Sequence, residues 1–133
     1  MVKPKRVKLD GVHVAKIKNR YIFRKETGYD RKSFHHYLVF TDKNTKENVA
    51  VETTHLYKKD PLRFKQLRSG NGMKLSLPGM ETPSLVLKKF HTNNAKGKGI
   101  DFAHRDVNIK SKISRSKAKK LFDFIRKNRK GRG

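Results

Sequence analysis

Cysteine is absent from the 133 residues, which excludes a disulfide framework, a thiolate metal site and a cysteine nucleophile together, so packing alone must hold the core. Acidic residues are scarce: 11 Asp and Glu stand against 35 Lys and Arg, leaving a formal net charge of +24. Apolar residues make up only 34% of the chain, which suits one domain and argues against two. No apolar run reaches the roughly 18 residues of a membrane-spanning helix. The first ten residues carry lysines but no apolar segment of the secretory kind, so a cytoplasmic protein without membrane association is expected.

What remains is a basic chain with enough large side chains to fold. Eight Phe and four Tyr supply the apolar bodies of a small core. A charge of this size repels itself, and binding to a polyanion relieves that repulsion, which points to nucleic acid or a strongly acidic protein as partner. Membrane-surface binding ranks last, because the lysines are dispersed and the single amphipathic stripe is short.

The patterning predicts an α+β fold: a small, strongly curved antiparallel sheet or barrel of about five to seven short strands with a C-terminal helix packed on it. Residues 1–10 read as a basic arm, 11–128 as the domain and 129–133 as a basic tail. Val12, Val14 and Ile17 suggest a first strand, and Tyr21-Ile22-Phe23 a second. Tyr37-Leu38-Val39-Phe40 and Asn48 to Thr54 flank a turn-rich Thr41–Lys46 segment, which is the pattern of a hairpin. Leu62, Phe64 and Leu67 fit a short helix or turn. Met73–Leu77 alternates as a strand, Pro78-Gly79 turns it and Ser84–Leu87 returns, and Ile100–Phe102 and Val107–Ile109 are further short apolar runs. Ala118, Leu121, Phe122 and Ile125 then fall at helical spacing over about 114–128, with Ser114 as N-cap and Ile113 and Ala118 as a hydrophobic staple.

If the hairpin forms, the start of its first strand and the end of its second meet at one end of the sheet. Arg31, Lys32, His35 and His36 then approach Thr53, Thr54, His55, Lys58 and Lys59. Imidazoles that titrate near neutrality, hydroxyls and cations suit metal-free RNA cleavage, in which a base takes the 2′-OH proton, cations offset charge on the phosphate and an acid protonates the leaving 5′-oxygen. The same residues also fit partly exposed structural histidines and ordinary strand threonines. A zinc site from His35, His36, His55, His91 and His104 lacks any tight ligand spacing, so neither a metal nor a cofactor is expected.

The stretch Lys32-Ser33-Phe34 leading into an apolar strand, with Ala50-Val51-Glu52-Thr53-Thr54-His55-Leu56-Tyr57-Lys58-Lys59 returning, resembles the RNase toxins of type III toxin–antitoxin systems, the ToxN-like branch of the MazF/PemK/Kid superfamily. Glu81 to Phe90 resembles that superfamily's entry into a hydrophobic strand. The resemblance spans roughly residues 20–125. It implies phosphate handling by Lys32, Thr53, Thr54 and Lys58, with Arg31 as a substitute basic residue. The Arg-Pro step usual in MazF relatives is replaced by His35-His36, so the identity of acid and base stays open, and His55 can take either part.

The leading expectation is therefore a metal-independent endoribonuclease toxin acting on single-stranded RNA. Its catalytic candidates are Lys32, His36, Thr53, Thr54, His55 and Lys58. RNA-binding candidates are Arg31, His35, Tyr57, Lys59, Lys88, Lys89, Lys96, Lys98, Lys117 and Lys120. Its partners would be RNA and an RNA antitoxin or acidic protein antitoxin, with a possible oligomer. The competing expectation is a non-catalytic nucleic-acid-binding protein of a plasmid or phage, including an anti-CRISPR-type inhibitor of a guided nuclease, with aromatics such as Tyr21, Phe23, Tyr57 and Phe90 for stacking. A ribosome-associated basic protein is a third.

Overall fold

A computed structural model describes residues 7–56 and 61–130, with side chains as far as Asn128. Its six strands are β1 (His13–Lys18), β2 (Phe34–Thr41), β3 (Asn48–His55), β4 (Gly72–Leu75), β5 (Ser84–His91) and β6 (Val107–Lys112). They form one antiparallel sheet in the order β4-β5-β3-β2-β1-β6. Both β4 and β6 are edges, so the sheet is open where the sequence suggested a strongly curved sheet or barrel. The helices are α1 (Asn19–Ile22), α2 (Pro61–Arg68) and α3 (Arg115–Lys130). No helix among the described residues is long and apolar enough to cross a membrane.

The hairpin of β2 and β3 forms as its composition predicts. Asp42 closes the turn through its backbone, with its N–H donating to the Glu47 carbonyl at 2.8 Å. Its side chain also accepts from the N–H groups of Asn44 and Thr45, the usual way a short acidic side chain supports a turn. Apolar residues then alternate inward on both faces because β-strand side chains alternate. Leu38, Phe40, Val49 and Val51 point to one face, where Leu121, Phe124 and Ile125 of α3 cover them. Tyr37, Val39 and Ala50 point to the other, beneath Tyr21 and Ile22 of α1 and Ile100 and Phe102 of the loop between β5 and β6. These are called the helix face and the loop face below.

Two expectations change. Tyr21-Ile22-Phe23 is not a strand. Asn19, 2% exposed, receives the chain there, its amide donating to the Asp30 carbonyl at 2.8 Å, and the next residue, Arg20, grips Asp106 with two hydrogen bonds of 3.0 and 2.7 Å. These tertiary bonds outweigh the strand preference of an aromatic and β-branched run. In α3 the buried stripe runs through Leu121, Phe124 and Ile125, while Phe122 is 38% exposed and meets Phe40 edge-on; the helix continues to Lys130. Of the expected arm over 1–10, residues 1–6 lie outside the described residues, and residues 7 and 9 make backbone contacts to the domain. The Val7 carbonyl accepts from buried Asn48, whose amide also reaches the Ile100 carbonyl, and the Leu9 N–H donates to Thr41.

Candidate nucleic-acid interface

The pleat decides which predicted residues meet. Tyr37 pairs with Glu52 across the hairpin, so the residues beyond them, Phe34 to His36 and Thr53 to His55, share one end of the sheet, as the sequence suggested. Consecutive residues point to opposite faces, however. His36, Thr53 and His55 have the parity of Leu38 and Val51 and lie on the helix face. His35 and Thr54 have the parity of Tyr37 and Ala50 and lie on the loop face. The single predicted cluster is therefore two.

On the helix face, β1 brings Lys16 opposite His36 and Lys18 opposite Phe34. The Lys16 ammonium stands 4.7 Å from the centre of the Phe34 ring, within cation–π range. Phe34 is 47% exposed. Its ring meets His36 edge-on at 5.7 Å, and His36 meets His55 at 6.1 Å. The row thus reads Lys16, Phe34, His36, His55, at the end of the face not covered by α3. His36 is held below the usual imidazole pKa, chiefly by burial and then by the charges of Lys16, His55, His35 and Lys110. That favours its neutral form near pH 7. Thr53 is not available to phosphate, because it is buried and its hydroxyl donates to the His36 carbonyl at 2.9 Å. It pins the end of β3 to the end of β2.

The remaining candidates scatter. Arg31 and Lys32 are exposed in the turn ahead of β2, where Asp30 accepts from the Lys32 N–H and the Ser33 hydroxyl. Lys88 and Lys89 are exposed on β5, Lys96 and Lys98 in the loop after it, and Lys120 on α3, with Lys117 half-buried there. Tyr57, Lys58 and Lys59 lie outside the described residues. Among the described residues, no group of three or more His, Asp and Glu side chains is placed to hold a metal ion. His35 and His91 belong to the loop face and His36 and His55 to the helix face, which separates the imidazoles the zinc set would have needed together.

The loop face holds a grouping that the sequence reading missed. Glu52, 5% exposed, accepts a 2.7 Å hydrogen bond from His91 Nε2. Phe23 stacks on Tyr29 at 4.1 Å and meets His91 and His35 edge-on. His35 Nδ1 donates to the Asn19 side-chain oxygen, whose orientation is fixed because the amide nitrogen of Asn19 already donates to Asp30. A signal was present: Glu52 is a lone charge within the apolar run of β3, at a position whose parity faces inward.

Comparison of the chain with protein-family models, curated proteins and solved structures finds no match. The chemistry of the sheet end carries the functional reading by itself.

Proposed function

We propose that the protein binds single-stranded RNA at the uncovered end of its helix face. The observation that carries this reading is the row Lys16, Phe34, His36, His55. An exposed ring offers a stacking surface for an unpaired base, and Lys16 beside it supplies a cation to the adjoining phosphate. Lys110 adds a second positive charge on the same face. The +24 of the whole chain supplies affinity without sequence information.

The spacing of His36 and His55 favours a second reading, metal-independent cleavage. Neutral His36 would take the proton of the 2′-OH as the 2′-oxygen bonds to phosphorus, and His55 would give a proton to the 5′-oxygen as its bond to phosphorus breaks. Lys16 would offset charge on the phosphate oxygens. An endoribonuclease toxin of the ToxN type would use the site in this way, and an anionic antitoxin would cover it.

Fluorescence anisotropy with a labelled single-stranded RNA tests binding. The Lys16→Ala, Phe34→Ala double variant is expected to weaken binding at least ~5-fold, the loss of about one stacked base. Unchanged affinity, or equal affinity of the wild type for duplex DNA, would overturn the proposal. The same RNA incubated in EDTA and run on a gel separates the two readings: discrete products lost in His36→Ala support cleavage, and intact RNA leaves binding alone.

A further inference from the structure

The pairing of β3 with β5 is interrupted beside Glu52. Val51 pairs with Phe90 and Thr53 with Val86, so β3 advances two positions (51 to 53) while β5 advances four (90 to 86). Residues 87–89 thus stand opposite the single residue Glu52, two more than a regular ladder allows, and such a bulge opens the ladder and re-aims side chains. On the outer side no described strand pairs with β5 beyond Leu87. The result is a pocket of about 550 Å³ at the sheet edge, lined in part by Phe23, Glu52, Lys88, Lys89 and His91.

The pocket is polar in a directed way. Glu52 presents a buried carboxylate to the pocket, and its Oε2 accepts from His91. A buried carboxylate that lines a pocket and has made one hydrogen bond keeps acceptor capacity for a ligand's donors. Phe23, half-buried, adds an aromatic wall backed by Tyr29. Lys88 and Lys89, both exposed, add two cations at the mouth.

We propose that this pocket binds a guanine nucleotide. Guanine carries two N–H donors side by side on its Watson–Crick edge, N1 and N2, which match the two oxygens of a carboxylate. Oε2 keeps acceptor capacity after bonding His91. Adenine and cytosine each place a ring-nitrogen acceptor beside their single amino group, which would face Glu52 with like polarity. Uracil has one N–H between two carbonyls. Phe23 provides the stacking surface and the two lysines take the phosphate. The site lies at the β5 edge of the sheet, where Phe90 and, from α3, Asn128 also line it, and it uses none of the residues of the Lys16–His55 row, so it goes beyond the RNA-binding reading. The nucleotide can be free or one residue of a strand, and the recognising chemistry is the same.

Isothermal titration calorimetry of the full chain with GMP, AMP, CMP, UMP and inorganic phosphate tests this. GMP is expected to bind saturably and at least ~10-fold more tightly than the other nucleotides, the discrimination that one good two-point hydrogen-bonded contact gives. Glu52→Gln should remove that preference, with its fold checked by circular dichroism. Lys88→Ala, Lys89→Ala alters only exposed side chains and should weaken GMP more than guanosine. A parallel titration with a guanine-containing and a guanine-free RNA tetranucleotide separates a free nucleotide from a strand residue. Equal binding of all four nucleotides and phosphate would show a non-specific anion site and overturn the proposal. So would the absence of guanine preference in both formats, or preference that survives Glu52→Gln. Lys16→Ala, Phe34→Ala should leave GMP binding unchanged, which keeps failure here distinct from failure of the RNA-binding reading.

Discussion

At the scale of single residues, His13 and His36 are held below the usual imidazole value inside a strongly cationic surface. Burial is the largest cause for both His13 and His36, followed by nearby lysines, Lys112 for His13 and Lys16 for His36, while Asp10 acts in the opposite sense on His13. Both groups therefore bind protons less readily folded than unfolded. Their contribution to stability is full above the ordinary imidazole value near 6.5 and is lost as pH falls below it toward the lower folded value. Asp106 behaves differently: its carboxyl is held low, first by the hydrogen bonds from Arg20, so its contribution is lost only below the ordinary carboxylate range. Thermal denaturation across pH 7 to 5 is expected to show a falling midpoint, and His36→Gln should flatten part of that fall. A midpoint flat over this range in the wild type, or a slope that His36→Gln leaves unchanged, would contradict the assignment. The fall should steepen again below about pH 4 as carboxylates such as Asp106 are protonated.

At the scale of elements, α3 shows how a helical stripe is read correctly and yet rotated. Ala118, Leu121 and Ile125 were legible from spacing, but so was Phe122, and periodicity alone does not say whether Phe122 or Phe124 completes the face. The sheet beneath settles it: Phe124 is buried with Val12, Leu38 and Val86, and Phe122 lies at the margin against Phe40. Leu121→Ala is expected to cost about 2–5 kcal/mol, since Leu121 is fully buried and leaves a cavity. Phe122→Ala should cost clearly less. Chemical denaturation of the two variants checks the order, and equal losses would place Phe122 in the core. The same logic explains what the hairpin revealed in advance. Alternation and turn chemistry at residues 37–54 sufficed to locate both strands and the sheet end, but a list of neighbours does not respect the pleat, so His35 and His36 were grouped although they face opposite ways. Glu52 and His91 escaped for a different reason. They are 39 positions apart and meet because His91 pairs with Ala50, two residues before Glu52 on the same face, a long-range pairing that no local pattern encodes.

At the scale of the whole molecule, the +24 charge sets two opposing responses to salt. The described ion pairs are few, and the Lys112–Asp10 and Arg126–Asp123 pairs are exposed contacts of 3.8 and 3.1 Å, of the kind that contributes at most about 1 kcal/mol each. Repulsion among unpaired cations dominates the electrostatics of the folded state, and salt screens it over a Debye length of about 10 Å at 0.1 M. Added sodium chloride is therefore expected to raise the thermal midpoint of the free protein. The same salt should weaken RNA binding, because each phosphate neutralised by a Lys or Arg releases counterions and adds about 0.7 to the slope of log K against log salt for a single strand. Lys16→Ala should lower that slope by about 0.7, whereas substitution of an exposed lysine elsewhere, such as Lys43, should leave it unchanged. If the midpoint instead falls with salt, local ion pairs outweigh global repulsion. If every lysine substitution lowers the slope equally, affinity is spread over the whole surface and the end of the helix face holds no privileged place in it.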